Sequence, residues 1–155
     1  MVEYSYTIDT EEVDKVITNL MRTTPAFSRQ VLGMLSEAIV NRVVVHNLSG
    51  PTGSHTLSRG TGTLAKSMTY KLDSDYKATV GSNVKYAAIH EFGGIIEPKV
   101  ANALHFKVAD KWVTTQRVVI PKREYLRTAL DYVWEHESQK IMDKELDKWL
   151  DKEWK

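Results

Sequence analysis

Tyr86-Ala87-Ala88-Ile89-His90-Glu91-Phe92-Gly93-Gly94-Ile95-Ile96 joins an apolar turn, a His-Glu pair and a double glycine in one short span. The preceding Gly81-Ser82-Asn83 ends a strand, and Asn83 is placed to cap a short helix from Val84 through Glu91. Gly93 and Gly94 then stop that helix, because glycine reaches positive φ without a Cβ penalty and lets the chain leave at a sharp angle. The stretch therefore predicts a backbone corner, with Tyr86, His90, Glu91, Phe92, Gly93 and Gly94 at its centre.

His90-Glu91 also invites a chemical reading. A zinc peptidase helix needs His-Glu-x-x-His, since residues four apart share one helical face and can share one metal. Here the second His position is Gly94, and His46, His55, His105 and His136 are scattered along the chain. A metal-dependent hydrolase using His90 and Glu91 is thus the weaker alternative. A structural pair that hydrogen-bonds to backbone or to a neighbouring subunit is favoured, with no cofactor and no catalytic residue. Gly60-Thr61-Gly62-Thr63-Leu64 lacks the Walker spacing, and no Gly-x-Ser-x-Gly nucleophile elbow is present.

Upstream, Glu3 to Ile8 alternates as a strand, and Asp9 or Thr10 caps a helix carrying Val13, Val16, Ile17 and Leu20. Pro25 opens or closes a helix boundary, and Val31, Leu32, Leu35, Ile39 and Val43 mark a second amphipathic helix. Residues 49–62 are Gly, Ser, Thr and Pro rich, which predicts a long mobile loop. Met68 to Leu72 and Tyr76 to Val80 form a hairpin about Asp73-Ser74-Asp75, and Leu104 to Val108 pairs with Lys111 to Ile120. After Pro121, Arg123 to Trp154 reads as one long helix whose apolar stripe is interrupted between Glu135 and Lys140. A core this small seldom covers so long a helix, so Trp149 and Trp154 are candidates for packing on another subunit as much as on their own domain. The fold class is α+β: a single domain over residues 1–155, with N-terminal helices on a small antiparallel sheet of hairpins and a helix at about 123–154.

The composition suits that class. The 155 residues include four Trp, seven Tyr and three Phe, enough large apolar surface for a core without staples. There is no Cys, which removes disulfides and thiolate chemistry and points to synthesis in a cytosol. No apolar run approaches the roughly 20 residues needed to cross a bilayer, so a soluble chain with no membrane partner is expected. Asn47-Leu48-Ser49 matches a glycosylation sequon, but no signal peptide accompanies it. A net charge of +1 argues against bulk electrostatic binding of nucleic acid. The charge is unevenly spread, however: no acid lies between Glu37 and Asp73, where Arg42, His46, His55, Arg59, Lys66 and Lys71 occur. His55, Arg59 and Lys66 are the candidate residues for a surface facing DNA or another acidic partner.

Four landmarks in this order resemble the bacteriophage virion morphogenesis and tail-completion families. They are Gly60-x-Gly62-x-Leu64-x-x-Ser67-Met68, Val80-Gly81-Ser82, Tyr86 to Gly94, and Ile120-Pro121-Lys122-Arg123-Glu124-Tyr125-Leu126, where Tyr125 stands in place of Phe. The resemblance covers about Gly60 to Leu130 and adds Pro121, Arg123 and Tyr125 to the motif residues. It implies a structural virion protein, made in the host cytoplasm, that forms a homo-oligomeric, sixfold ring at the head-proximal end of the tail. The implied partners are the tail tube or tail terminator and the head connector, with DNA passing the channel. A tail terminator or head-closure ring of the same neck is the nearby alternative.

Overall fold

The computed structural model describes residues 4–8, 19, 20, 22, 24–58, 60–108 and 110–153. The helix expected after Asp9 falls largely outside them, as do Arg59 and Trp154.

Three strands form the main sheet. β1 (Tyr4–Ile8) and β2 (Met68–Ser74) both pair antiparallel with β3 (Lys77–Ser82), giving the order β1-β3-β2. The predicted hairpin is present, and its pleat buries Ala78 and Val80 on one face of β3. Across it lies α1 (Pro25–Arg42), with Pro25 in the first turn, where a missing N–H costs nothing. Phe27, Val31, Leu32, Leu35 and Ile39 recur at helical spacing and are fully or almost fully buried. The helix does not stop at Arg42: Val43–Asn47 continues it with a wider π turn, closed by the Leu48 N–H on the Val43 carbonyl at 2.9 Å.

The C-terminal region differs from the single helix expected. It is split into α4 (Tyr125–His136) and α5 (Ser138–Glu153), with Glu137 at φ −120° and Ser138 Oγ donating back to the Trp134 carbonyl. The polar stretch from Glu135 to Lys140 has too few apolar side chains to hold a straight helix on the core, and the break redirects the second stripe. Ile141, Met142, Leu146 and Trp149 then pack with Phe27, Val31 and Leu35 of the same chain. Trp149 meets Phe27 with ring centroids 5.8 Å apart, so this residue packs on its own domain. Buried Glu145 is held there by Gln30 and Lys148.

The larger core cluster unites Leu32, Ile39 and Val43 with Ala78 and Val80 of the sheet and with Tyr125, Leu126, Ala129 and Val133 of α4. Each fully buried large apolar side chain contributes roughly 1.5–3 kcal/mol. Asn47, the sequon residue, sits at the seam: it is buried and donates to the His55 carbonyl and to Thr128 Oγ1 at 3.0 Å.

Phe27→Ala is expected to lower the stability of the isolated chain by about 3–5 kcal/mol, through lost transfer energy and the cavity left against Trp149. Chemical denaturation measures it. An unchanged midpoint in the monomer would mean that α5 does not pack on α1 in solution.

Candidate functional site: the helix corner and its arm

The short helix α3 (Ala87–Phe92) begins three residues later than its sequence suggests. Asn83 does not cap it. Instead Ser82 Oγ accepts the Val84 N–H at 3.1 Å, and the Ala87 N–H reaches the Val84 carbonyl at 2.9 Å, so residues 83–86 form a turn leading in. Gly93 ends α3 at φ +71° and ψ 172°, a region open essentially to glycine alone. A Cβ built there would lie 2.7 Å from the Lys122 backbone nitrogen. Two constraints therefore require the same residue: a positive φ, and backbone approaching too closely for any side chain. At Gly94 the contact is softer, with a built Cβ 3.1 Å from Ile89 Cγ1.

The end of α3 is joined to the start of α4. Arg123 and Glu124 donate their N–H groups to the carbonyls of His90 and Glu91, both at 3.0 Å, which satisfies acceptors that a helix end leaves open. In the opposite sense, the fully buried Glu91 carboxylate accepts the N–H groups of Leu126 and Arg127, at 3.0 Å each. Glu124, at the N-cap position of α4, is left-handed and supplies no side-chain cap, so a carboxylate from another helix performs that task. It places negative charge at the positive end of the α4 dipole. Tyr6 of β1 completes the setting: burial and then the adjacent Glu91 carboxylate push its phenol up, and it donates a hydrogen bond to that carboxylate. Fully buried Tyr125 lies in the first turn of α4.

Arg123 is the second tie. Its guanidinium donates to the Gly53 carbonyl, and its own carbonyl is bonded to His55 Nδ1 at 3.0 Å. With the Leu57 N–H on the Asn47 carbonyl, these bonds hold the 49–62 excursion against the domain, where its composition had suggested a mobile loop. They also commit His55 to the corner. Lys66, on the short helix α2 (Thr63–Ser67), borders a hollow with Val44 and Gly62 that His55 does not line. Arg42, counted among the acid-free basic residues, lies over the Tyr132 ring at 3.5 Å.

His90 points elsewhere than Glu91. Its ring meets Tyr86 edge-on at 6.0 Å and borders an open hollow of about 240 Å³ with Leu57, Thr61 and Leu64. Burial, followed by the nearby Arg123 cation, holds its pKa below the ordinary value of 6.5. Among the described residues, no three His, Asp or Glu side chains converge as metal ligands. Phe92 and Tyr86 are both exposed. Pro121 lies between the last strand and the joint.

From the corner projects an arm that the sequence only partly disclosed. β4 (Gly94–Ile96) pairs with β7 (Val118–Ile120), and β5 (Leu104–Val108) pairs with β6 (Lys111–Thr115). Neither pair belongs to the main sheet. Ile95 and Val119 stand opposite each other at the base, 53% and 60% exposed. Towards the tip, Trp112 is 67% exposed and stacks on His105 at 4.6 Å, while His105 Nδ1 meets Thr114 Oγ1. β4 went unread because a three-residue strand has too little alternation to register, and its partner is distant in sequence.

A corner closed by an internal carboxylate, a pinned loop and an outlying arm characterise this small α+β domain. The chain matches the phage virion morphogenesis family model over residues 42–150, and it belongs to that family. The matched span runs from the end of α1 into α5, and so contains loop, corner and arm. No curated protein and no solved structure matches the chain.

Glu91→Ala is expected to cost about 2–4 kcal/mol, since two charge-assisted bonds to backbone N–H groups are lost in a buried place. Glu91→Gln, which keeps one acceptor oxygen, should fall between alanine and wild type in denaturant titrations. Gly93→Val should cost about 3 kcal/mol or more, from left-handed strain plus the Lys122 clash, and should exceed His90→Ala. Equal stability of Gly93→Val and wild type would refute the corner geometry.

His90 adds a pH dependence of defined sign. Its folded pKa lies below its unfolded one, so the unfolded state binds more protons in the interval between them, and stability falls as pH drops below about 6.5. His90→Gln should remove that slope in pH-dependent thermal melts.

Proposed function

We propose that this chain is a tail-completion protein of a long-tailed bacteriophage. Identical subunits assemble as a ring, sixfold by the family resemblance, at the head-proximal end of the tail. There they meet the tail tube or tail terminator on one side and the head connector on the other. The role is one of contact, without catalysis.

Family membership supports a part in virion assembly. The observation that carries the finer reading is the arm: apolar side chains such as Ile95, Trp112 and Val119 are held in solvent on a base fixed by Gly93. An apolar surface displayed this way is a recognition surface. Both Glu91 oxygens are bonded to the α4 N-terminus, which supports a structural reading of Glu91. No helix among the described residues is long and apolar enough to cross a membrane, which is compatible with a virion location. A tail terminator or head-closure ring would draw on the same surfaces, and the position of the chain in the particle separates these assignments.

Electron microscopy of lysates from a phage lacking this chain tests the proposal. Heads and tails that accumulate unjoined, with rescue by the chain supplied in trans and label at the neck of rescued particles, are expected. Normal infectious particles without the chain would contradict it.

A further inference from the structure

We propose that the arm, residues 94–120, docks on α5 of a second copy of this chain, in a head-to-tail contact. The inference rests on the ring reading above and specifies which two surfaces meet.

The arm carries its own argument for a protein partner. Ile95, Val108, Trp112 and Val119 are each more than half exposed, although the chain hides its other large apolar residues efficiently along α1 and α4. The two strand pairs of the arm are bonded within themselves and lie outside the main sheet. An exposed Trp at the tip of a rigid element is the kind of anchor that contributes most in interfaces. Lys99, Lys111 and Arg117, and the acid Glu97, form no ion pair among the described residues, so the arm combines apolar surface with a net excess of free positive charge.

α5 offers the complement. At 3.6 residues per turn, the side facing away from buried Met142 and Glu145 carries Asp143, Asp147 and Asp151 together with Lys140 and Lys144, and Leu150 stands at its edge beside Asp143. Neither Asp143 nor Asp147 forms an ion pair among the described residues, and Leu150 is 40% exposed. Lys148 and Lys152 lie further round the same helix, away from Asp143 and Leu150. The flank from Leu150 to Asp151 thus bears three aspartates to one lysine, a net negative charge beside an apolar residue that complements an arm with a net excess of cations and exposed apolar side chains. The contact joins two different patches, a heterologous arrangement that propagates around a closed ring. Apolar Ile95 and Val119 at the base argue for this partner over duplex DNA, which would reward cations alone.

The chain contains no cysteine, so introduced thiols report only on themselves. Purified Lys111→Cys and Asp147→Cys variants are mixed under assembly conditions and mildly oxidised. The expected product is a disulfide dimer that needs both variants, and a ladder of linked subunits when both cysteines are in one chain. Lys111→Glu with Arg117→Glu should weaken self-association at least tenfold, and Asp143→Lys with Asp147→Lys should restore it. Rings that form without the 111–147 link would overturn the arm assignment and leave the ring reading standing. Particles whose neck contains this chain without a ring would overturn the ring reading itself. Loss of duplex DNA binding in Lys111→Glu with Arg117→Glu, with subunit association unchanged, would assign the arm to nucleic acid and refute the proposal.

Discussion

The structure turns on one buried carboxylate. Glu91 leaves the end of α3 and binds two backbone N–H groups at the start of α4, while the α3 carbonyls accept N–H groups from Arg123 and Glu124. Each helix thus satisfies the open end of the other. Such bonds hold orientation more tightly than apolar packing, because a buried N–H or carboxylate without its partner is costly and tolerates little displacement. The arm is inserted between these two helices, so its position follows from the joint.

The same requirement explains the glycines. Pairing Gly94 with Ile120 brings the backbone of Ile120 and Lys122 so close that no volume is left for a Cβ at position 93, and the chain turns there through positive φ. Arg123 extends the joint outward to the 49–62 segment through Gly53 and His55. Loop and arm base are thus both bonded to the corner. The arm leaves Ile95, Trp112 and Val119 more than half exposed, and in the proposed ring their burial would supply the driving force for contact.

Much of this was legible in the residues. The α1 stripe, the 68–82 hairpin and the glycine corner follow from local periodicity and backbone chemistry, and all three are present. The resemblance read on Gly60 to Leu130 agrees with the family match over residues 42–150. What was illegible depends on contacts distant in sequence. Nothing near Glu91 announces that its partners are Leu126 and Arg127, and Ile95-Ile96 becomes a strand only through Val118 and Val119. The break at Glu137 was visible as a polar interruption, but not its consequence, because the space that receives Trp149 is made by Phe27 and its neighbours on α1. Nothing in the Asn47-Leu48-Ser49 sequon announced that Asn47 is a buried link between the loop and α4.

The central claim is that the Glu91 joint holds the arm. Amide hydrogen exchange compared between wild type and Glu91→Ala addresses it directly, under conditions where both remain folded. The account predicts that protection is lost together at Leu126 and Arg127 and at the β4–β7 pairing of Ile95 with Val119, while β3 of the main sheet stays protected. Loss confined to Leu126 and Arg127, with the arm base exchanging as in wild type, would contradict it.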